Sequence, residues 1–140
     1  MKNMLENLGK WPLPGDDARK AGRMVFIPGE RWLRVIHGKD NHILISFFVS
    51  NDFCHFGKMR IAPSTHSDQE THKGDEVLFV LKGKLNIQVY GENESEATVL
   101  HETREVEEGC QFLIPEGLRH RYLNFSDETV EAVFGIAPGL

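Results

Sequence analysis

Four side chains suited to holding a metal ion lie in two stretches of the chain. Glu70, His72 and Glu76 fall in Glu70-Thr-His-Lys-Gly-Asp-Glu76. Residues two apart in extended backbone leave the same face, so Glu70 and His72 point together, and the turn at Lys73-Gly-Asp75 brings Glu76 back beside them. The second stretch, Gly109 to Asn124, reads as a strand that ends at Pro115, turns through Gly117 and re-enters with His120. If the two stretches pair, His120 becomes the fourth ligand. Two imidazoles and two carboxylates form a mixed nitrogen and oxygen site for one divalent transition metal: Mn, Fe, Co, Ni or Zn. A metal held by four ligands keeps adjacent positions for a chelating hydroxyl and carbonyl or carboxylate oxygen, which favours hydroxy acids, sugars and enediols.

Glu70 has a second role open to it. As a general base swung off the metal, it leaves His72, Glu76 and His120 as two histidines and one carboxylate, a pattern associated with oxygen-activating iron. Alternation from His120 puts Tyr122 and Asn124 on the ligand face, and alternation from Glu76 puts Leu78 and Val80 there. The pocket is then largely apolar with one phenol. Tyr122 is the candidate proton donor and substrate contact; the plainer reading is a tyrosine packed in the core with its hydroxyl bonded elsewhere. Arg34, on an early strand with Trp32, offers a fork for a substrate carboxylate or phosphate, against the plainer reading of an exposed arginine. His55 is placed at the pocket mouth, and His66 is the rival of Glu70 for its place. His37, His42 and His101 lie outside both stretches and read as surface or structural histidines.

The elements that must position these residues are strands. From Arg31 onward, short β-branched, aromatic and aliphatic runs alternate with turn residues, the pattern of an all-β barrel or sandwich. Strands are predicted over Trp32–His37, His42–Val49, Phe53–Ala62, Glu76–Leu81, Leu85–Tyr90, Ala97–Leu100, Gln111–Ile114, Arg119–Asn124 and Thr129–Ile136. Breakers such as Gly38-Lys-Asp-Asn41, Lys82-Gly-Lys84 and Ser126-Asp-Glu128 predict a topology dominated by hairpins. Residues 1–30, with Pro12, Pro14, Gly15, Gly22, Pro28 and Gly29, form an irregular arm packing on the barrel of residues 31–140, with a turn or two of helix over Asn3–Leu8.

At 140 residues one domain is expected. A formal charge of −5 repels phosphate backbones and anionic lipid, so neither nucleic acid nor membrane is an expected partner. The N-terminus lacks the apolar run of a secretory signal, and no stretch is long enough to span a bilayer. Cys54 and Cys110 sit in apolar runs as free thiols, which suits a reducing, cytoplasmic setting.

The two stretches resemble the paired motifs of the cupins. Gly109, Pro115, Gly117, His120 and Asn124 match the second cupin motif (residues 109–124), and His72, Glu76 and Gly83 keep the register of the first (residues 70–83). Glu70 stands where the family usually has its first histidine, a replacement that keeps a metal-binding atom. The resemblance, to small single-domain cupins of the RmlC-like type, covers residues 55 to 136. It implies a double-stranded β-helix (jelly-roll barrel), a metal on Glu70, His72, Glu76 and His120, a small-molecule ligand and a homodimer formed through an N-terminal strand. Three functions compete: a metal-dependent isomerase, lyase or decarboxylase; an Fe(II)-dependent dioxygenase; and a non-enzymatic binding module.

Overall fold

The alternation that begins at Leu33 becomes strands throughout the computed structural model, which describes residues 10–91 and 93–137. In chain order they are β1 (Leu33–His37), β2 (Ile43–Ser50), β3 (His55–Ile61), β4 (Thr65–His66), β5 (Asp75–Lys82), β6 (Leu85–Tyr90), β7 (Leu100–Val106), β8 (Gln111–Ile114), β9 (His120–Asn124) and β10 (Val130–Ala137). They form a six-stranded sheet in the order β1-β2-β3-β10-β5-β8 and a four-stranded sheet in the order β4-β9-β6-β7. All neighbours are antiparallel. The fold is the all-β, double-stranded β-helix barrel expected from the motifs.

The two sheets close on one core. Phe47, Ile61, Leu78, Val80 and Phe134 from the larger sheet meet Leu85, Ile87 and Tyr122 from the smaller one. Phe47 and Phe134 stack edge to face at 5.9 Å. Burying each aliphatic or aromatic side chain of this size contributes about 1.5–3 kcal/mol, which makes this layer the main source of stability. Gly57 lets the layer close: a Cβ there would sit 2.6 Å from the Ser46 carbonyl oxygen and 3.1 Å from the Phe134 ring.

The connections differ from the hairpin expectation. Chain neighbours pair at β1-β2, β2-β3 and β6-β7, whereas β3-β10, β5-β10, β5-β8, β4-β9 and β6-β9 join segments far apart in sequence. The turn at Lys82–Lys84 explains how. It passes the chain from β5 in one sheet to β6 in the other instead of folding it back within a sheet, with Gly83 at φ +84°. The strand expected over Ala97–Leu100 lies instead at Leu100–Val106. β7 is the edge strand of its sheet and is exposed along nearly all its length, so its polar residues show no alternation and only its pairing with β6 marks it. β4 has two residues and was too short to predict.

Within the N-terminal arm, Trp11 exchanges backbone hydrogen bonds with Ser50 at 2.7 and 2.8 Å. A short helix, α1, occupies Gly15–Ala21, with Gly15 against the Phe53 ring and the Arg19 guanidinium 3.7 Å above it. The helical turns expected over Asn3–Leu8 lie outside the described residues. Among the described residues no helix is long and apolar enough to cross a membrane.

One outer surface breaks the usual polar rule. β5 turns Glu76, Leu78 and Val80 inward and Val77, Phe79 and Leu81 outward. Beside them Phe56 and Leu113 are also exposed, lining a groove of about 490 Å³ on the outside of the six-stranded sheet. An antiparallel sheet facing water is ordinarily polar on that side.

Candidate metal centre

The residues of the two motifs converge because their turns are tied together. Gly117 N donates to the His72 carbonyl at 3.0 Å. Gly74 N donates to Glu116 Oε1 at 3.1 Å, and Glu116 N donates back to Asp75 Oδ1 at 2.9 Å. Gly74 and Gly117, each at φ +80°, occupy the left-handed conformation these turns require. The Glu70 and His120 backbones pair as an isolated antiparallel bridge, with hydrogen bonds of 2.9 and 3.1 Å. Glu76 enters from β5 in the opposite sheet.

Inside the barrel, His72, Glu76 and His120 each present one donor atom, and these atoms lie within 4.8 Å of one another. Glu76 Oε1 is 3.6 Å from His72 Nε2 and 3.5 Å from His120 Nε2. At those separations the contacts are too long for hydrogen bonds and become ion pairs only when the imidazoles are protonated. The Tyr122 hydroxyl donates to Glu76 Oε1. His120 Nδ1 lies 2.7 Å from the Leu118 carbonyl oxygen, which can only accept, so Nδ1 carries the proton and Nε2 turns a lone pair toward the cluster. His120 Nε2 and both ring nitrogens of His72 are buried without a hydrogen-bond partner. Buried polar atoms are nearly always paired, and two such nitrogens facing one carboxylate, His72 Nε2 and His120 Nε2, fit a cation that they would share. The donor set, two imidazoles and a carboxylate, suits a divalent transition metal.

The electrostatics agree. Burial works to raise the Glu76 carboxyl, yet His120 and then His72 hold it down to about 2. Burial lowers both imidazoles, and Glu76, with help from Glu70, reverses this so that each is raised above the usual histidine value. Burial, followed by the charges of Glu76 and Glu70, pushes the Tyr122 phenol well above its ordinary range and keeps it a donor.

Of the residues singled out in the sequence, His72, Glu76, His120 and Tyr122 meet in this interior. Glu70 stands at its edge: its Oε1 is 3.8 Å from His120 Nε2, and its Oε2 accepts from His37 Nε2 at 2.9 Å. Arg34 lies on the outward, exposed face of β1, while Leu33, Val35 and His37 face the other way. His55 is buried at the start of β3, its Nδ1 2.8 Å from Ser50 Oγ, and burial together with the charges of Lys10 and His72 lowers it. His66 Nδ1 donates to the Ser67 carbonyl at 2.9 Å. Asn124 is a structural hub, its amide donating to the Ile61, Ala62 and Glu128 carbonyls.

His37 is the residue that the reading as a surface or structural histidine passed over. Inward alternation of Leu33, Val35 and His37 was the available signal, but alternation alone does not say which end of a strand meets a site on another element.

The fold and this interior define a cupin. The chain belongs to that family: the Cupin domain model matches residues 57–136. A search of curated protein sequences gave no match. Among solved structures the chain is similar to an RmlC-like cupin from Shewanella frigidimarina NCIMB 400, at 14% identity over 84% of this chain and 93% of that one, with a TM-score of 0.62. It is also similar to a Cupin 2 conserved barrel domain protein from Salinispora arenicola CNS-205, at 19% identity over 81% and 87%, with a TM-score of 0.60. Both show the fold alone. An oxalate oxidase solved in complex with glycolate matches at 25% identity and a TM-score of 0.52, over 61% of this chain. The chain spans 43% of the length of that enzyme.

Proposed function

We propose that this cupin is a metal-dependent enzyme, of the isomerase, lyase or decarboxylase kind, acting on a small oxygenated metabolite such as a hydroxy acid. His72, Glu76 and His120 would hold one divalent transition metal, with residues 31–140 as the barrel and 1–30 as its arm. The observation that carries the reading is the pair of buried, unpartnered imidazole nitrogens, His72 Nε2 and His120 Nε2, that face Glu76. When bound, the metal supplies Lewis acidity and open positions for a chelating ligand. The chain's own residues do the rest. Tyr122 holds Glu76 by its hydroxyl, the Leu118 carbonyl fixes the His120 tautomer, and Leu78 and Val80 keep the interior apolar. Glycolate in the oxalate oxidase is a small hydroxy acid, and this supports that substrate class.

Metal analysis of the purified protein beside His120→Ala tests the reading. About one equivalent is expected in the wild type and a loss of retention of about a thousandfold in the variant, beyond the 10–100-fold of losing an outer partner. Equal retention in both would remove the proposed site. The tight grouping of three donor residues among the described residues also favours a second reading, an Fe(II)-dependent dioxygenase, which substrate-dependent oxygen uptake after anaerobic iron loading would identify.

The working form is a homodimer in a reducing, cytoplasmic setting, in keeping with free Cys54 and Cys110. The outer apolar face of the six-stranded sheet is its interface. Leu113 is 59% exposed, Val77 50%, Leu81 45%, Phe56 44% and Phe79 40%. Their exposed parts come to roughly 400 Å², against about 800 Å² per partner in a standard interface of which homodimers make about 65% apolar. Two such faces stack through a two-fold axis, as sheets do in sandwiches. Light scattering should give twice the chain mass for the wild type and the single-chain mass for Phe79→Glu. A wild-type monomer at micromolar concentration would exclude the dimer.

A further inference from the structure

β1 lies outside both motifs, yet its last residue reaches the site. The Glu70 main chain is fixed to His120 by its two bridge hydrogen bonds, so only side-chain rotation decides where its carboxylate points. Glu70 Oε2 is taken by His37 Nε2 at 2.9 Å. The His37 side chain is 13% exposed and that of Glu70 22%. The pair is therefore mostly shielded from water, where such a contact is worth more than at the surface. The loop after His37 is in turn locked to the loop before Glu70. Asp68 accepts from Lys39 N at 2.6 Å, Asp40 N at 3.1 Å, Asn41 N at 2.8 Å and Asn41 Nδ2 at 2.9 Å. Gly38, at φ +122°, makes the turn that lets these amides face one carboxylate; a Cβ there would meet the Asn41 carbonyl oxygen at 1.8 Å. Asp68 thus sets the distance between two residues that share no motif.

We propose that His37 is a positioning residue. It holds the Glu70 carboxylate beside the His72–Glu76–His120 group and not within it, leaving Glu70 Oε1 to accept a hydrogen bond or proton from the hydroxyl of a bound hydroxy acid. This rests on the metal reading above and refines it, because Glu70 then serves the ligand and is no fourth metal donor. Two observations converge on it. The donor atoms that crowd together come from His72, Glu76 and His120, and Glu70 is braced from the far side by a strand-borne imidazole.

Co(II) serves as the probe, since its visible spectrum reports coordination number independently of any activity. Glu70→Gln is expected to leave the Co(II) spectrum unchanged, since removing a residue that is no ligand leaves the coordination number as it was, and to weaken affinity by no more than the 10–100-fold of an outer partner. His37→Leu frees the carboxylate to turn inward, which should tighten Co(II) about tenfold and shift the spectrum toward higher coordination. His37→Gln, whose amide still donates to Glu70, should match the wild type. The double variant His37→Leu/Glu70→Gln should return to the Glu70→Gln spectrum, a coupling that a purely structural role for His37 would not produce. A Glu70→Gln spectrum shifted toward lower coordination makes Glu70 a ligand and overturns the proposal, as does an unchanged spectrum in His37→Leu. A wild type that binds no Co(II) overturns the metal reading itself, a result separate from a wild type that binds beside a Glu70→Gln that does not.

Discussion

Replacing His72 by leucine should abolish metal binding and at the same time leave the metal-free protein as stable as before or more so. Neither ring nitrogen of His72 has a hydrogen-bond partner, and its side chain is only 3% exposed. Its nearest charged contact is a 3.6 Å approach to Glu76 Oε1, which carries no charge attraction once the imidazole is neutral, and the Gly74 backbone adds a weaker polar contact. With the imidazole neutral, the metal-free fold therefore bears most of the desolvation of its ring nitrogens, about 1–3 kcal/mol for each polar group left unsatisfied, with little in return. Leucine has a similar volume and no polar atom, and swaps of that kind in a core cost less than about 1.5 kcal/mol. Above the raised His72 value, where the imidazole is neutral, thermal melting of the metal-free variant should occur at or a few degrees above the wild-type midpoint. Metal affinity in the same sample should fall by roughly a hundredfold or more, because a ligand is lost and not an outer partner. A metal-free variant several degrees less stable would mean that His72 has a structural role, and retained metal would mean that it is not a ligand. A residue kept at the expense of stability is the physical mark of a functional site.

The fold and the site were legible in the sequence to different depths. Strands with one buried face could be read because alternation reports burial directly, as in β5 and β10. β7 could not, since an edge strand exposed on both faces obeys no alternation. The pairing of β10 between β3 and β5 was equally hidden, because long-range partners leave no local trace. Within the site, His72, Glu76 and His120 were readable because two turns with left-handed glycines fix their spacing. Tyr122 followed from alternation, although its hydroxyl is spent on Glu76 and so acts first as a brace. His37 was missed because its role depends on Asp68 joining two loops, and a carboxylate accepting four donors from residues 39–41 looks in sequence like any surface aspartate.

The metal-free and metal-loaded proteins should respond to pH in opposite directions. In the metal-free fold the pKa values of His72 and His120 are raised above 6.5, because the neighbouring Glu76 and Glu70 carboxylates outweigh burial. A raised folded-state pKa contributes stability that is fully present below the unfolded value and is lost as pH rises through the folded one. Glu76 is the converse: its carboxyl falls from 4.5 to about 2, so its contribution is present above 4.5 and is lost only as pH drops toward 2. The three groups titrate as a unit, and the metal-free protein should melt highest at about pH 5–6 and lower as pH rises through the raised histidine values. A metal needs both imidazoles neutral. Below their raised pKa values it must displace up to two protons, which costs up to about a hundredfold in apparent affinity per pH unit. Metal at a hundred times its dissociation constant stabilises the fold by about 2.7 kcal/mol, and that gain should vanish roughly one pH unit below the onset of competition. Melting curves at fixed Mn(II) should therefore separate widely from the metal-free curves above the raised histidine values and draw together as pH falls below them. Calorimetry in two buffers of different ionisation enthalpy should detect proton release on binding at pH 7. Parallel pH curves with and without metal would mean that the ion binds somewhere other than between these histidines. The same carboxylate that steadies the histidines without the metal would bind it with them, so proton and metal compete for a single charged cavity.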